Sequence, residues 1–71
     1  MNRIALTNVS RAYCSFVQEQ IADLRLLGRF YFDYDTTTIY FDKLADALRV
    51  SEWMKSDRIK HKLCLELSVQ F

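Results

Sequence analysis

The sequence contains no proline and only one glycine, Gly28, among its 71 residues. These two residue types mark linkers and loops, so nothing in the chain indicates a flexible tether between two domains. A chain of this length has room for one hydrophobic core and buries only about 60% of the surface that its unfolded form exposes. We therefore predict a single domain spanning residues 1–71, with a small margin of stability.

An excess of charge of either sign is also missing. The formal net charge is +1, which does not favour nucleic acid or anionic lipid as a partner. The composition is 51% hydrophobic and 14% aromatic, which is typical of an ordered domain rather than a disordered one.

Cysteine pairs and long apolar runs are scarce. Cys14 and Cys64 lie far apart without a CxxC spacing, which predicts reduced thiols instead of a disulfide scaffold. The opening residues MNRIALTNVS lack the apolar core of a signal peptide, and no stretch approaches the length of a membrane span. We expect a soluble, cytoplasmic protein.

Two segments have apolar residues at the three-and-four spacing of an amphipathic helix. The first runs from Val9 to Leu27, and Gly28 follows it where a left-handed cap is expected. The second, DKLADALRVSEWMKS, has Asp42 as a candidate N-cap. As an alternative, Val50 and Ser51 could end one short helix and cap another.

In two other segments apolar and polar residues alternate with a period of two, which is typical of strands. In RFYFDYDTTTIYFD, a turn at Thr36 and Thr37 would place Tyr34 opposite Ile39 and Phe32 opposite Phe41. A longer loop is the alternative, because Thr-Thr is a poor two-residue turn. The final segment, RIKHKLCLELSVQF, predicts a strand whose inward face is formed by Ile59, His61, Leu63, Leu65, Leu67, Val69 and Phe71.

These elements predict an α+β fold in the order αββαβ, with both helices packed on one face of a small, mostly antiparallel sheet. A leading strand in NRIALT, where Ile4 and Leu6 alternate, would make the order βαββαβ. That order resembles the ferredoxin-like plan. The opposite face of the sheet would then be left uncovered, to meet water or a partner.

The residues that most resemble a reactive site are Asp33, Asp35 and Asp42. Two carboxylates on one side of a strand suit a hard cation, but no phosphate loop or EF-hand spacing accompanies them. His61, the single histidine, has no zinc-ligand spacing with either cysteine. We therefore predict no enzymatic activity, no metal and no cofactor.

The stretch LADALRVS, from Leu44 to Ser51, resembles the first helix and turn of a helix-turn-helix. The resemblance implies a small nucleic-acid-binding regulator that contacts phosphates through the basic region around residues 55–62. Its binding residues would be Arg49, Lys55, Arg58, Lys60 and Lys62. The alternative is a plain amphipathic helix, since periodicity alone explains the leucines.

Tyrosines on the uncovered sheet face favour a different function. Tyr31 and Tyr40 alternate outward in the predicted hairpin, and such side chains are enriched where proteins bind one another. The leading hypothesis is a small non-enzymatic protein-binding module, of the inhibitor or adaptor type found in phage and mobile elements, or a homodimer. Its predicted protein-binding residues are Tyr31, Asp33, Tyr40, Trp53, Arg58, Lys60 and Lys62.

Overall fold

The computed structural model describes residues 2–67 and has an α+β fold. A short 3-10 helix, Arg11–Tyr13, precedes the first α-helix. The main elements are β1 (Asn2–Thr7), α1 (Cys14–Asp23), β2 (Phe30–Asp33), β3 (Thr38–Phe41), α2 (Leu44–Ser56) and β4 (Lys62–Leu67). The predicted inward positions Val69 and Phe71 lie outside the described residues.

The four strands form one sheet in the order β2-β3-β1-β4, and each neighbouring pair is antiparallel. The chain order is βαββαβ, so the leading strand predicted in NRIALT is present as β1. β1 lies between β3 and β4, and β3 lies between β1 and β2. β3 therefore lies between the two strands of the β1-α1-β2 unit, and β1 lies between the two strands of the β3-α2-β4 unit. β1 and β3 are the central strands of the sheet.

Both helices cover one face of this sheet, as predicted. The buried strand residues Leu6, Phe32, Ile39 and Phe41 belong to the same core cluster as residues of both helices. The helices contribute Cys14, Val17, Ile21, Ala47, Val50 and Met54 to it. We call the face that these residues share the helix side, and the opposite face the open face.

The end of α2 explains why the last strand begins later than predicted. Arg58 has a positive φ of 59°, and its N–H donates to the Lys55 carbonyl, while the Ile59 N–H donates to the Met54 carbonyl at 2.8 Å. This pattern is a Schellman motif, in which the residue after the cap is left-handed. Residues 58–61 therefore form a connection, and β4 begins at Lys62.

The hairpin has a longer turn than Thr36 and Thr37 alone. Phe32 pairs with Ile39 and Phe30 pairs with Phe41. The register for a turn at Thr36 and Thr37 is therefore wrong by two residues, and the alternative of a longer loop is confirmed. The turn spans 34–37 because the Asp33 carboxylate accepts hydrogen bonds from the N–H groups of Asp35 and Thr36. A shift of two keeps each side chain on its predicted face.

α1 ends earlier than the apolar spacing suggested. Leu24 is its C-cap, and Arg25, not Gly28, has the left-handed φ, at 53°. Gly28 is needed for a different reason: a Cβ there would lie 2.8 Å from Lys43 Cγ and 3.2 Å from Asp42 Cβ. The loop can therefore approach the start of α2 only without a side chain at this position.

α2 is one unbroken helix from Leu44 to Ser56. The resemblance to a helix-turn-helix required a turn near Val50 and Ser51, but both residues lie buried within the helix. The helix-turn-helix interpretation of this segment is therefore wrong, and core packing accounts for its periodicity. Asp42 also does not cap the helix, since the N-cap is Lys43, without a side-chain hydrogen bond.

Candidate protein-binding surface

The open face contains one straight row of side chains across all four strands. Tyr31 pairs with Tyr40, Tyr40 with Ala5, and Ala5 with Cys64. Residues paired across antiparallel strands share a face, and neighbours along a strand point to opposite faces. Because Phe32, Ile39 and Leu6 point to the helix side, this row points away from the helices.

The two tyrosines form the aromatic part of the row. Their rings lie 6.3 Å apart between centroids with an interplanar angle of 23°, a stacked arrangement. Tyr31 is at an edge of the sheet and is 64% exposed, whereas Tyr40 is partly buried. Stacking holds the outer ring in place, so its exposed surface is ready for contact with little further loss of side-chain entropy.

A shallow depression of about 320 Å³ adjoins the tyrosines. It is lined by Arg29, Phe30, Tyr31, Tyr40 and Asp42. The backbone beneath it is fixed, since the Asp42 N–H donates to the Arg29 carbonyl at 3.1 Å. The depression combines aromatic rings with one base and one acid, the mixture that protein interfaces use around an aromatic anchor.

Asp33 lies on the open face, because it pairs with Thr38, but its carboxylate also hydrogen-bonds within the hairpin. Its Oδ1 accepts from the Asp35 N–H at 3.0 Å and from the Thr36 N–H at 3.4 Å, so it shapes the hairpin turn. Trp53 is also elsewhere: it lies on α2, packs against the core and contacts the Phe16 ring at 5.9 Å between centroids. The structure therefore places Tyr31, Tyr40 and Asp33 on the open face but leaves Trp53 on α2.

The basic residues are divided among three parts of the fold. Lys62 is in β4, two residues from Cys64, and so belongs to the open face. Arg58 and Lys60 lie exposed on the connection before β4, and Arg49 and Lys55 are exposed on α2. The predicted basic strand end is therefore mostly a loop, because the Schellman motif delays the strand.

His61 makes a contact that the sequence did not reveal. Its Nδ1 lies 2.9 Å from the Ile59 carbonyl oxygen, and its Nε2 lies 2.7 Å from Ser51 Oγ. A carbonyl only accepts, so Nδ1 carries the proton, and in the neutral ring Nε2 accepts from the Ser51 hydroxyl. Ser51 is buried in the middle of α2, and we interpret the pair as an anchor between α2 and the start of β4.

The two thiols differ in their surroundings. Cys14 is in the core, and burial raises the pKa of its thiol, although Arg11 opposes this by favouring the thiolate. A raised pKa makes it a poor nucleophile at neutral pH. Cys64 is partly exposed at the end of the open-face row. Among the side chains that the structure describes, residues 4–65, no group of three or more histidine, cysteine, aspartate or glutamate residues is arranged to hold a metal ion.

Comparison with known proteins adds no relative to this description. No protein-family model, curated protein or solved structure matches the chain. In the part of the chain that the structure describes, neither helix is long and apolar enough to cross a lipid bilayer.

Two small residues of the open face were not among the predicted binding residues. Ala5 and Thr38 lie on this face, and each is only 6% exposed. The signal for Ala5 was present, because it alternates with the inward residues Ile4 and Leu6 in NRIALT. Both small residues lie beside the tyrosine pair, because Ala5 pairs with Tyr40 and Thr38 is two residues from Tyr40 along β3.

Proposed function

We propose that this chain is a non-enzymatic protein-binding module whose open face docks on a partner protein. The observation that supports the proposal is the exposed ring of Tyr31 stacked on Tyr40, on the sheet face that neither helix covers. Side chains of this type contribute much of the binding energy at protein interfaces, because they bury a large area and retain a polar group.

The charge of the surroundings also favours a protein over nucleic acid. The depression beside the tyrosines carries Arg29 and Asp42, and the net charge of the chain is +1. Nucleic-acid binding depends on basic residues that neutralise several phosphates together. Here Arg49, Lys55, Arg58 and Lys60 belong to α2 and the loop after it, and the helix-turn-helix that would have joined them to a recognition helix is not formed.

Affinity capture from a lysate of the cells in which this protein naturally occurs tests this proposal. We expect the unmodified protein to retain a partner protein with or without nuclease, and Tyr31→Ser to retain about thirtyfold less, as loss of a binding hot spot implies. The matched control is Tyr13→Ser, because Tyr13 is 49% exposed on the 3-10 helix, away from the sheet.

Two outcomes would contradict the proposal. One is equal capture by the Tyr31→Ser variant and the unmodified protein. The other is a complex that disappears with nuclease and weakens in the Lys60→Ala variant, which would favour nucleic-acid binding. Circular dichroism of both tyrosine variants shows whether the fold is retained, and an exposed substitution is expected to leave it intact.

A further inference from the structure

β4 forms one edge of the sheet. Its inner side pairs with β1, and no strand within residues 2–67 pairs with its outer side. It has six residues and contains neither glycine nor proline. β2, at the other edge, has only four residues and ends in the Asp33 turn. An edge strand of this kind has outward backbone groups that can pair with another strand.

An apolar patch accompanies this edge. Leu63 and Leu65 pair with Leu6 and Ile4, which places them on the helix side, yet they are 37% and 52% exposed. They remain exposed because β4 lies outside β1 and β3, the strands over which α2 packs most closely. The predicted inward orientation of these leucines is confirmed, but the helices cover them only in part.

Two leucines of α2 extend the patch. At 100° per residue, Leu44 and Leu48 fall on the flank of α2 that also carries Ser51. Ser51 contacts His61, directly before β4, so this flank faces the β4 edge. Leu44 and Leu48 are both nearly half exposed. We name Leu44, Leu48, Leu63 and Leu65 the edge patch.

We propose that β4 pairs with β4 of a second copy of this chain, antiparallel, about a two-fold axis at Cys64. This register places residue 64 opposite itself, residue 63 opposite residue 65, and residue 62 opposite residue 66. Each Leu63 then meets a Leu65 on the helix side, and each lysine at position 62 lies across from a glutamate at position 66. Opposite charges and apolar pairs in these positions stabilise a sheet.

Other registers match less well. An axis at Leu63 would place Lys62 opposite Cys64 and Leu65 opposite His61, and an axis at Leu65 would place Cys64 opposite Glu66. A register shifted by one residue would place Leu63 opposite Cys64. It would therefore put helix-side residues of one copy opposite open-face residues of the other. The axis at Cys64 pairs every residue from 62 to 66 with one of matching chemistry, which argues for a second copy and not an unrelated strand.

The proposed dimer joins two sheets of four strands into one sheet of eight, with all helices on one side. The edge patches of the two copies then meet beneath the β4 junction, and burial of these leucines supplies apolar stabilisation that edge pairing alone lacks. The inference goes beyond the proposed function, since it uses the sheet edge and the helix side instead of the open-face tyrosines.

Sedimentation equilibrium with charge variants tests this pairing. We expect a dimer for the unmodified chain and a dimer dissociation constant about tenfold or more higher for Lys62→Glu, because two attractive pairs become repulsive. Glu66→Lys is expected to weaken the dimer in the same way. An equimolar mixture of the two variants is expected to form a heterodimer, because each substituted charge then meets its opposite.

Matched leucine variants show whether the dimer depends on the β4 edge or on any exposed leucine. Leu65→Lys is expected to give a monomer, because the new charge would face Leu63 of the second copy within the apolar edge patches, without a partner. Leu27→Lys is the control: Leu27 is 79% exposed in the loop between α1 and β2, and the dimer is expected to persist. Circular dichroism of all variants checks that each is folded, which matters most for Glu66→Lys because residue 66 pairs with Arg3 in the same chain.

Cross-linking with diamide tests the position of the axis. The two Cys64 thiols would form one disulfide, losing two protons and two electrons to diamide, which is reduced to the hydrazine. Opposed residues in antiparallel strands have Cα separations of about 4.5–5.5 Å, within the range that a disulfide spans. We expect a cross-linked dimer that Cys64→Ser abolishes and Cys14→Ser does not.

Three results would overturn the inference: a monomer at every concentration tested, a dimer unaffected by Lys62→Glu, or a dimer lost on Tyr31→Ser. The last would locate self-association on the open face and so remove the edge pairing. Loss of the edge dimer with unchanged capture by the tyrosine surface would show that the two surfaces act separately.

Discussion

Replacing Asp46 with alanine is expected to lower the free energy of unfolding by about 2–4 kcal/mol. Asp46 is only 1% exposed. Its Oδ1 accepts from the Leu27 N–H at 3.0 Å, and its Oδ2 accepts from the Gly28 N–H at 2.8 Å. Alanine would leave both donors without this acceptor, and hydrogen bonds to a charged group are among the stronger ones.

This loss is large for so short a chain. Folded domains have roughly 0.05–0.15 kcal/mol of stability per residue, or about 4–11 kcal/mol for a chain of this length. Urea unfolding followed by circular dichroism measures the change. Asp42→Ala is the matched control, because Asp42 is an exposed carboxylate close to the same loop, and we expect a change within about 0.5 kcal/mol. Similar values for the two variants would contradict the role given to Asp46.

Truncating Leu6 to alanine is expected to destabilise the fold by about 2–5 kcal/mol. Leu6 is fully buried in β1, between Ile39 of β3 and Leu63 of β4. The substitution removes three carbons from the centre of the sheet and leaves a cavity that the packed neighbours can fill only in part.

The same unfolding measurement applies to this variant. Leu27→Ala is its control, since Leu27 is 79% exposed, and its free energy of unfolding should change by less than about 0.5 kcal/mol. If Leu6→Ala were as stable as the control, the burial of Leu6 between β3 and β4 would be contradicted.

The spacing of apolar residues correctly predicted the elements in which it keeps a helical or a strand period from end to end. α2 ends at Ser56, the last residue of the predicted helical segment, and β1 follows from the alternation of Ile4 and Leu6. The faces of the hairpin were also correct, because a shift of two residues preserves them. Patterning therefore sufficed for the α+β class and for the side of the sheet that the helices cover.

The incorrect details depend on interactions between atoms that no spacing shows. Asp33 folds back on the N–H groups of the turn, which lengthens it to 34–37. Arg25 and Arg58, which are not typical cap residues, have left-handed φ values and end the helices. The bond between Asp46 and the Gly28 loop joins residues 18 positions apart, so only the folded chain brings them together.

The candidate surface was predicted in part for the same reason. Alternation placed Tyr31 and Tyr40 on one face, and the structure stacks them. Trp53 was included in the predicted binding surface because tryptophan is enriched at protein interfaces. In the structure, its position on α2 turns the ring towards Phe16. Arg58 and Lys60 were assigned to the strand because the alternation continues through them, whereas the Schellman motif places both in the preceding connection.

Hydroxyl-radical footprinting of the captured complex measures docking through the open face directly. We expect oxidation of Tyr31 to fall strongly when the partner is bound, while oxidation of Tyr13 on the 3-10 helix stays unchanged. Unchanged oxidation of Tyr31 together with protection of Tyr13 or Phe16 would contradict the account and locate the interface on the helices.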